Sequence, residues 1–364
     1  MPRWIRVYLV PGAVFQSVLI GGGYGTGREV VEFISQAGPR GGLVAVGCFF
    51  VAMLTVVIAS FEFARIFRVF DYRRFFQELL GKPWWVYEIL AVVLLLLVLA
   101  VVISAAGTMV NDWLGVPLWV TTICAVLVTM FVLYIGQSAV EKLLTAWAGL
   151  FSIFIVAITV FTVLSQGLMV DAGNQAWEGG NPLKGFQYAL YNIAAIPVLL
   201  YTLKEISSRR EAVLSGLVAS IAATVPALLM HILFVPHLPE LLAEPLPFLV
   251  FLEDLELSWL IVVYAVLLIG TIVQTAIGVL EGVVQRVNGL LHDREQQPLS
   301  SRVRSLVGGL VLIISSLASG VGVIALIGAG YGTLAWAFML VYALPLLTIG
   351  ISKMRNSPVR ERIP

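Results

Sequence analysis

The feature that most constrains this chain is a series of ten long apolar runs, each close to the length of a membrane-spanning helix. A helix needs about 20 predominantly apolar residues to cross the hydrocarbon core of a bilayer. The runs are continuous and do not alternate with a period of two, which disfavours a transmembrane β-barrel. We therefore predict an all-α integral membrane protein that forms one transmembrane domain over residues 1–364. The predicted spans, numbered 1 to 10, are 7–36, 41–66, 84–111, 117–135, 143–165, 184–206, 211–235, 258–284, 303–319 and 322–351.

The composition excludes most soluble classes of protein. Hydrophobic residues make up 60% of the chain and charged residues 12%, against roughly 45–50% and about 25% in a soluble domain. A net charge of +1 offers no basic surface for nucleic acid, so we expect lipid and a small molecule as partners. Cys48 and Cys124 lie in apolar runs, which excludes a disulfide scaffold or a cysteine zinc site. With three histidines, at 231, 237 and 292, a histidine metal centre is disfavoured, and we expect no cofactor.

The distribution of basic residues predicts the orientation of the ten spans. If the N-terminus is cytoplasmic, 19 of the 22 lysines and arginines fall on the inner side. Only Arg40 and Lys184 fall outside, and Arg28 lies within span 1. This asymmetry is a strong positive-inside signal and would vanish if one span were added or removed. We therefore expect both termini to be cytoplasmic in a cell membrane (the inner membrane of a bacterium), with Asn174 outside. The proline-rich segment 240–256 is expected to form a short helix on the outer surface.

Span 1 is predicted to be interrupted near the middle of the membrane. Residues 21–27 contain five glycines, each of which costs about 1 kcal/mol in a helix interior. Irregular backbone at this depth is tolerated only where it is buried in protein or lines a cavity. The alternative is close helix packing through small residues. The density of glycines, followed directly by Arg28 and Glu29, favours a break.

Span 6 carries a second predicted interruption. Pro197 cannot donate its amide and clashes with the carbonyl of Ile193, which frees backbone groups beside Asn192. Interrupted segments at corresponding positions of two halves are the best sequence indication of a transporter site at a repeat interface. We predict two five-helix halves of opposite orientation, 1–166 and 167–352, followed by a cytoplasmic tail, 353–364. A third glycine-rich stretch, 328–333 in span 10, is either a coincidence or a flexible gate.

A family resemblance supports this architecture. Ten spans with broken helices 1 and 6 resemble the LeuT fold of the amino acid–polyamine–cation transporter superfamily. More narrowly, residues 23–29 read Gly-Tyr-Gly-Thr-Gly-Arg-Glu. This resembles the Gly-aromatic-small-Ser/Thr-Gly-Gln/Arg-Glu stretch of YkvI-like membrane proteins. Residues 191–194, Tyr-Asn-Ile-Ala, resemble the Tyr-Asn segment of that family. The resemblance implies a ten-helix 5+5 inverted repeat, and it implies the fold more strongly than any substrate.

The residues of the two breaks and of span 3 form the predicted substrate site. Backbone donors and acceptors freed at a break must be met by a ligand, an ion or water, because lipid cannot pair with them. Mixed charges at the start of the outer half of span 1 favour an amine-bearing, zwitterionic or cationic solute. The predicted substrate-binding residues are Gly22, Gly23, Tyr24, Gly25, Thr26, Arg28, Ser104, Thr108, Tyr191 and Asn192. The predicted gate residues are Arg28, Glu29, Glu32 and Tyr201. The alternative for Arg28 and Glu32 is that the two side chains only neutralise each other.

A sodium site is predicted where span 8 meets the break of span 1. Thr271, Gln274 and Thr275 share one helix face near mid-membrane. With backbone carbonyls from Gly21 and Tyr24 they offer several oxygen ligands to a hard cation. The LeuT resemblance implies the same junction between helices 1 and 8. The alternative is that the threonine hydroxyls bond to carbonyls one turn earlier. Residues 143–165 of span 5 contain no lysine where a proton-coupled relative would place one, which favours Na⁺ over H⁺.

Together these patterns predict a sodium-coupled secondary transporter of a small polar, amine- or amino-acid-like solute. It is expected to work by alternating access. A proton-coupled transporter and a transporter-like sensor without net transport are the alternatives. No nucleotide-binding motif or catalytic triad arrangement is present in the sequence, so we predict neither an ATP-driven pump nor an enzyme. A homo-oligomer is compatible with the sequence.

Overall fold

The computed structural model describes residues 1–135, 137–167, 180–293 and 295–357, and this part of the chain forms helices without strands. Eight helical segments in it are long and apolar enough to cross a membrane. Two shorter apolar segments, Ile5–Leu19 and Leu118–Val132, belong to spans 1 and 4 and complete the ten. The all-α, ten-span prediction is confirmed. Asn174 and the end of the C-terminal tail lie outside the described residues.

Most spans are single helices. Spans 2 to 5 are Gly38–Phe67, Trp85–Leu114, Leu118–Ile135 and Gln137–Gln166, and spans 7 to 9 are Arg209–Phe234, Ser258–Asp293 and Ser301–Ser319. A short helix, Tyr72–Leu80, joins spans 2 and 3, and we call it the inner helix. The predicted helix in 240–256 is found as two short segments, Glu240–Ala243 and Pro247–Asp254, which we call the outer segment.

Span 1 leaves the helix at the predicted place. Its first helix ends at Leu19, Ile20 has ψ 76°, and Gly21 is extended at φ −101° and ψ −176°. A single turn follows from Gly22 to Gly25, and Gly27 then adopts a left-handed φ of 80°. Glycine alone reaches that conformation without strain from a Cβ. The last helix of the span, the outer half, is Arg28–Phe33.

Span 6 changes helix type without leaving the helical region. It consists of Lys184–Asn192, a 3₁₀ turn at Ile193–Ala195, a short α segment and a second 3₁₀ stretch at Leu200–Glu205. The dihedral angles at the junctions stay right-handed, as at Ile193 with φ −60° and ψ −22°. Span 10 is similarly irregular, since π-helical segments at Leu326–Tyr331, Met339–Ala343 and Leu346–Gly350 interrupt its α segments.

The helices pack in two groups. One group consists of spans 1, 2, 6 and 7, and the other consists of spans 3, 4, 8 and 9. Span 1 contacts span 7 and its counterpart span 6 contacts span 2, while spans 2 and 7, 3 and 8, and 4 and 9 pack against each other. When the span number is shifted by five, the pairing of spans 1 and 7 maps onto that of spans 6 and 2, and each of the other three pairings maps onto itself. Five spans in each half require opposite orientations in the membrane, so the fold is a 5+5 inverted repeat.

Candidate functional site

The broken backbone of span 1 is held by side chains of span 8. The Gly22 N–H donates to Thr275 Oγ1 at 3.1 Å, and the Tyr264 hydroxyl donates to the Gly25 carbonyl at 3.0 Å. Within the break, Thr26 Oγ1 donates to the Gly23 carbonyl at 2.7 Å. Groups that lipid could not satisfy are thus paired across two spans.

A carboxylate is buried directly beside this break. Glu29 is 4% exposed and accepts hydrogen bonds from the hydroxyls of Tyr188, at 3.3 Å, and Tyr191. It also lies against the break, because a Cβ built on Gly23 would overlap Glu29 Oε1. Among the described residues no lysine, arginine or histidine forms an ion pair with it. A buried carboxylate without a cationic partner is costly in its charged form, so Glu29 is a candidate for holding a cation or a proton.

Aromatic rings surround the Glu29 carboxylate. Tyr191 stacks on Tyr331 of span 10 with ring centroids 4.6 Å apart, and Tyr188 stacks on Phe33 at 5.3 Å. The Tyr24 hydroxyl is buried without a hydrogen-bond partner. We call Glu29, Tyr24, Tyr188, Tyr191 and Tyr331 the carboxylate–tyrosine cluster. It combines a carboxylate with tyrosine hydroxyl oxygens that keep lone pairs, and both kinds of oxygen can accept hydrogen bonds from a cation.

Sequence reasoning missed two members of this cluster. Tyr188 lies one helical turn before Tyr191 and therefore shares its face, a spacing that was open to inspection. Tyr331 belongs to the glycine-rich stretch of span 10, where the structure has a π-helical segment. Such bulges occur often at functional sites. Because Tyr331 contacts Tyr191, this stretch borders the cluster, and its role as a flexible gate stays a prediction.

The remaining predicted pocket residues lie at different distances from the cluster. Asn192 is buried and its amide donates to the Tyr188 carbonyl at 2.8 Å, so it stabilises the turn that presents Tyr188. In span 3, Val101 contacts the break at Gly23, and Ser104 follows it by about one turn and is buried. Thr108 lies a turn further on and donates to the Ser104 carbonyl at 3.0 Å.

Two of the predicted gate residues, Arg28 and Glu32, form a latch with Lys184, and Glu29 does not share in it. Arg28 Nη2 lies 2.7 Å from Glu32 Oε2, and Lys184 Nζ of span 6 lies 2.8 Å from Glu32 Oε1. Arg28 Nη1 also donates to the Leu242 carbonyl of the outer segment at 2.6 Å. The Arg28–Glu32 pair is therefore more than local neutralisation, because it ties span 1 to span 6 and to the outer segment. Arg28 points away from the cluster and does not complement Glu29.

Tyr201 lies away from the latch, and its assignment to the gate stays a prediction. Its side chain is 57% exposed, and it lies in the Leu200–Glu205 stretch near Glu205, which pairs with Arg6 at 3.0 Å. A 3₁₀ stretch has three residues per turn rather than 3.6, so faces assigned with an α-helical period drift along it. The latch lies at the opposite end of span 6, where Lys184 begins the span.

The predicted sodium ligands lie at the junction of spans 1 and 8, but their hydroxyls are already engaged. Thr275 Oγ1 donates to the Thr271 carbonyl and Thr271 Oγ1 to the Leu267 carbonyl, each at 2.8 Å. The Thr271 methyl group lies on the Gly25 side. The Gly21 and Tyr24 carbonyls accept from the N–H groups of Gly25 and Gly27, at 2.7 and 2.9 Å.

One acceptor atom among the predicted sodium ligands has no hydrogen-bond partner. Gln274 is buried and its Oε1 lacks a hydrogen bond. A hydroxyl that donates to a carbonyl keeps a lone pair, and a carbonyl that accepts once keeps another. The junction therefore retains acceptor capacity for a cation. Groups of three or more His, Cys, Asp or Glu side chains, which would suit a transition metal, do not occur within the described ranges.

The structure combines a discontinuous span, a buried carboxylate beside it and a 5+5 repeat. This combination is typical of membrane transporter folds. Solved structures agree with that class. The chain is similar to a crystal structure of the Eremococcus coleocola manganese transporter in complex with an aromatic bis-isothiourea substituted compound. The TM-score is 0.63 and the identity 13%, over 94% of this chain and 78% of the other.

Two further structures of single-residue mutants of the same transporter give TM-scores of 0.58 and 0.57, at 17% and 16% identity, over the same 94% and 78%. At these identities the likeness concerns the fold. No family model and no curated protein matches this chain.

Proposed function

We propose that this protein is a secondary transporter of a small polar solute that carries a cationic amine, such as an amine or amino acid. The observation that carries the proposal is Glu29, a buried carboxylate among tyrosines at a backbone break. An ammonium group placed there gains a charge-assisted hydrogen bond to Glu29, and the hydroxyl oxygens of Tyr188 and Tyr191 keep lone pairs that can accept from it. Alternating access then requires the latch of Arg28, Glu32 and Lys184 to open toward one side.

We propose Na⁺ as the coupling ion, bound where span 8 meets the break of span 1. The support is the acceptor capacity at Gly21, Tyr24, Thr271, Gln274 and Thr275, including the unpaired Gln274 Oε1. Sodium at this junction would stabilise the break and so favour the conformation that presents Glu29. Proton coupling, with Glu29 as the carrier, is the competing mechanism. A membrane sensor with the same fold would bind the solute without moving it.

We propose a cell-membrane location with both termini cytoplasmic, supported by the positive-inside distribution of charge. A single cysteine replacing Leu183, an exposed residue at the start of span 6, should react with an impermeant thiol reagent applied from outside. A cysteine replacing Lys82 should react only after permeabilisation. Both are made in a background without Cys48 and Cys124. Inverse labelling would overturn this orientation. The YkvI-like resemblance remains a proposal of the same kind, carried by residues 23–29 and 191–194.

A divalent metal is a second candidate substrate, because the structural neighbours are described as a manganese transporter. In this chain the cluster offers one carboxylate, and the other nearby donors are hydroxyl, amide and backbone oxygens. Oxygen donors of this kind suit Mn²⁺ as well as Na⁺. Manganese therefore belongs in the same screen as the organic solutes.

The test is a thermal-shift screen of the purified protein against amines, amino acids, nucleobases and MnCl₂, with and without NaCl. We expect an amine-bearing solute to raise the melting temperature, and to do so more in Na⁺ than in choline. Glu29→Gln should abolish that shift, whereas Glu240→Gln, at an exposed glutamate of the outer segment, should keep it. Stabilisation by MnCl₂ alone would favour the metal, and a shift retained in Glu29→Gln would exclude the cluster. Uptake into proteoliposomes separates a transporter from a sensor.

A further inference from the structure

The inner helix has one buried and one exposed face that its packing fixes firmly. It buries Phe75, Phe76 and Leu79, and the Phe76 ring stacks on Tyr87 of span 3 at 3.5 Å. Asp71 caps the helix by accepting from the N–H groups of the two arginines that follow Tyr72, at 2.9 and 3.2 Å. The opposite face therefore cannot rotate inward, and it presents polar side chains at the inner ends of spans 2 and 3.

Three exposed cations lie on and around this helix. Arg74 lies on its polar face, Arg68 ends span 2 four residues before Tyr72, and Lys82 follows two residues after Leu80. Within the described residues neither Arg68 nor Lys82 forms an ion pair. Arg74 has one exposed partner, Asp71, at 3.7 Å. We call Arg68, Arg74 and Lys82 the inner basic patch.

Six other cations at the inner ends of the spans are neutralised instead. Shorter ion pairs of 2.8 to 3.4 Å join Arg3 to Glu211, Arg6 to Glu205, Arg65 to Glu62, Arg286 to Glu88, Arg304 to Glu281 and Lys353 to Glu78. The inner basic patch thus keeps its charge available for a partner outside the protein. Charge alone does not say what that partner is, but the position of the patch does.

The patch borders the face that span 3 turns toward lipid. Trp85, Ile89 and Val93 are exposed and spaced four residues apart, so they form one apolar stripe along the span. Lys82 lies about one turn before Trp85, which is 55% exposed. The guanidinium of Arg73 lies over the neighbouring Trp84 ring at 5.5 Å. Tryptophans beside basic residues at the end of a lipid-facing stripe mark the level of the phospholipid headgroups.

We propose that the inner basic patch binds the phosphate headgroup of an anionic phospholipid, with its acyl chains against the span 3 stripe. Basic residues on an amphipathic helix at the inner surface attract anionic lipid about fivefold per cation, so three cations give roughly a hundredfold preference. The acyl chains contact the apolar stripe, whereas a free phosphate ion has no apolar part that could do so. This binding is independent of the solute and the coupling ion proposed above.

The experiment measures lipid retention by native mass spectrometry of the detergent-solubilised full chain, with added phosphatidylglycerol or phosphatidylcholine. The patch variant is Arg68→Gln/Arg74→Gln/Lys82→Gln. The matched control removes three exposed cations from the inner ends of spans 6 and 7, as Lys204→Gln/Arg209→Gln/Arg210→Gln. We expect wild type and control to retain phosphatidylglycerol at least tenfold more strongly than phosphatidylcholine. The patch variant should lose this preference.

Three results would overturn the proposal. One is unchanged phosphatidylglycerol retention in the patch variant, and another is an equal loss in the control, which would indicate bulk charge rather than a site. The third is displacement of the lipid by millimolar glycerol phosphate, which would identify a free phosphate as the ligand. Lys82→Gln alone should weaken retention about fivefold. It keeps the proposal testable if the triple variant fails to fold.

Discussion

The interruptions of spans 1 and 6 occupy corresponding positions in the two halves of the fold, yet they differ in kind. In span 1 the chain leaves the helix at Ile20 and Gly21 and again at Gly27, where φ is 80°. In span 6 the dihedral angles stay helical, and only the hydrogen-bond pattern tightens around Ile193. A run of glycines frees the backbone, whereas a single proline only shortens the turn.

The consequence is a division of roles at the site. Span 1 contributes backbone, paired to span 8 through Thr275 and Tyr264, together with one carboxylate, Glu29. Span 6 contributes side chains, because its intact helix places Tyr188 and Tyr191 on one face toward that carboxylate. In span 1, solute binding should therefore be most sensitive to substitutions that crowd or unpair the backbone. In span 6, it should be most sensitive to substitutions that remove polar side-chain atoms.

The largest effect is expected from Gly25→Leu in span 1. A Cβ at Gly25 would already lie 3.1 Å from Leu268 Cδ1, and the rest of a leucine side chain would overlap Leu268 and Phe151. Overpacking of this kind costs about 1–3 kcal/mol and displaces the break. We expect loss of solute binding, measured by the thermal shift of the ligand found in the screen.

The matched control for this prediction is Gly47→Leu in span 2, where a Cβ meets nothing within 4 Å. It should bind solute as wild type does. The sensitivity of Gly25 reflects space and not backbone conformation, because Gly25 lies within a helical turn and the left-handed residue is Gly27. Normal binding by Gly25→Leu would remove the break of span 1 from the site.

The next largest effect is expected from Asn192→Leu in span 6. The Asn192 amide donates to the Tyr188 carbonyl, and leucine has a similar volume but neither donates nor accepts. Leaving buried polar groups unpaired costs about 1–3 kcal/mol, which corresponds to roughly tenfold to hundredfold weaker solute binding. The variant should still reach the membrane and elute as a single species. Wild-type affinity would show that span 6 contributes only its tyrosines.

The sequence predicted the two breaks better than the groups that fill the space between them. Glycine and proline act locally, so residues 21–27 and Pro197 indicated where the helices would be irregular. The complete ring of tyrosines around Glu29 was not predictable in the same way, because Tyr331 comes from span 10, about 300 residues away, and only packing brings it to Tyr191. Tyr201 stays an untested gate prediction, and the 3₁₀ stretch that contains it could not be predicted from an α-helical period.

A smaller and ion-specific effect is expected from Thr271→Val with Thr275→Val in span 8. The substitution removes two oxygens while nearly preserving shape, and it takes away the acceptor of the Gly22 N–H. Solute affinity in choline should change little, whereas the gain in affinity from Na⁺ should fall about tenfold. Ser315→Ala in span 9, which also removes a buried hydroxyl, should leave the sodium gain unchanged. Full sodium dependence in the double variant would favour proton coupling.

The smallest effect is expected from Pro197→Ala, which tests whether the tightening of span 6 is needed at all. Alanine restores an N–H that can donate to the Ile193 carbonyl, so the segment can return to a regular α-helix. In the middle of a regular helix a proline costs about 3 kcal/mol. Here Pro197 lies near the start of the Ile196–Leu199 segment, where a missing N–H costs less, so we expect a rise of only a few degrees in melting temperature. Regularising the turns after Asn192 should lower solute affinity no more than severalfold, because Tyr188 and Tyr191 lie before the proline and keep their face.

Pro226→Ala is the control, because Pro226 lies within the continuous helix of span 7. Replacing it should stabilise the protein without changing solute affinity. A loss of binding as large as that of Gly25→Leu would mean that span 6 also works through its backbone, and the distinction between the two breaks would fail.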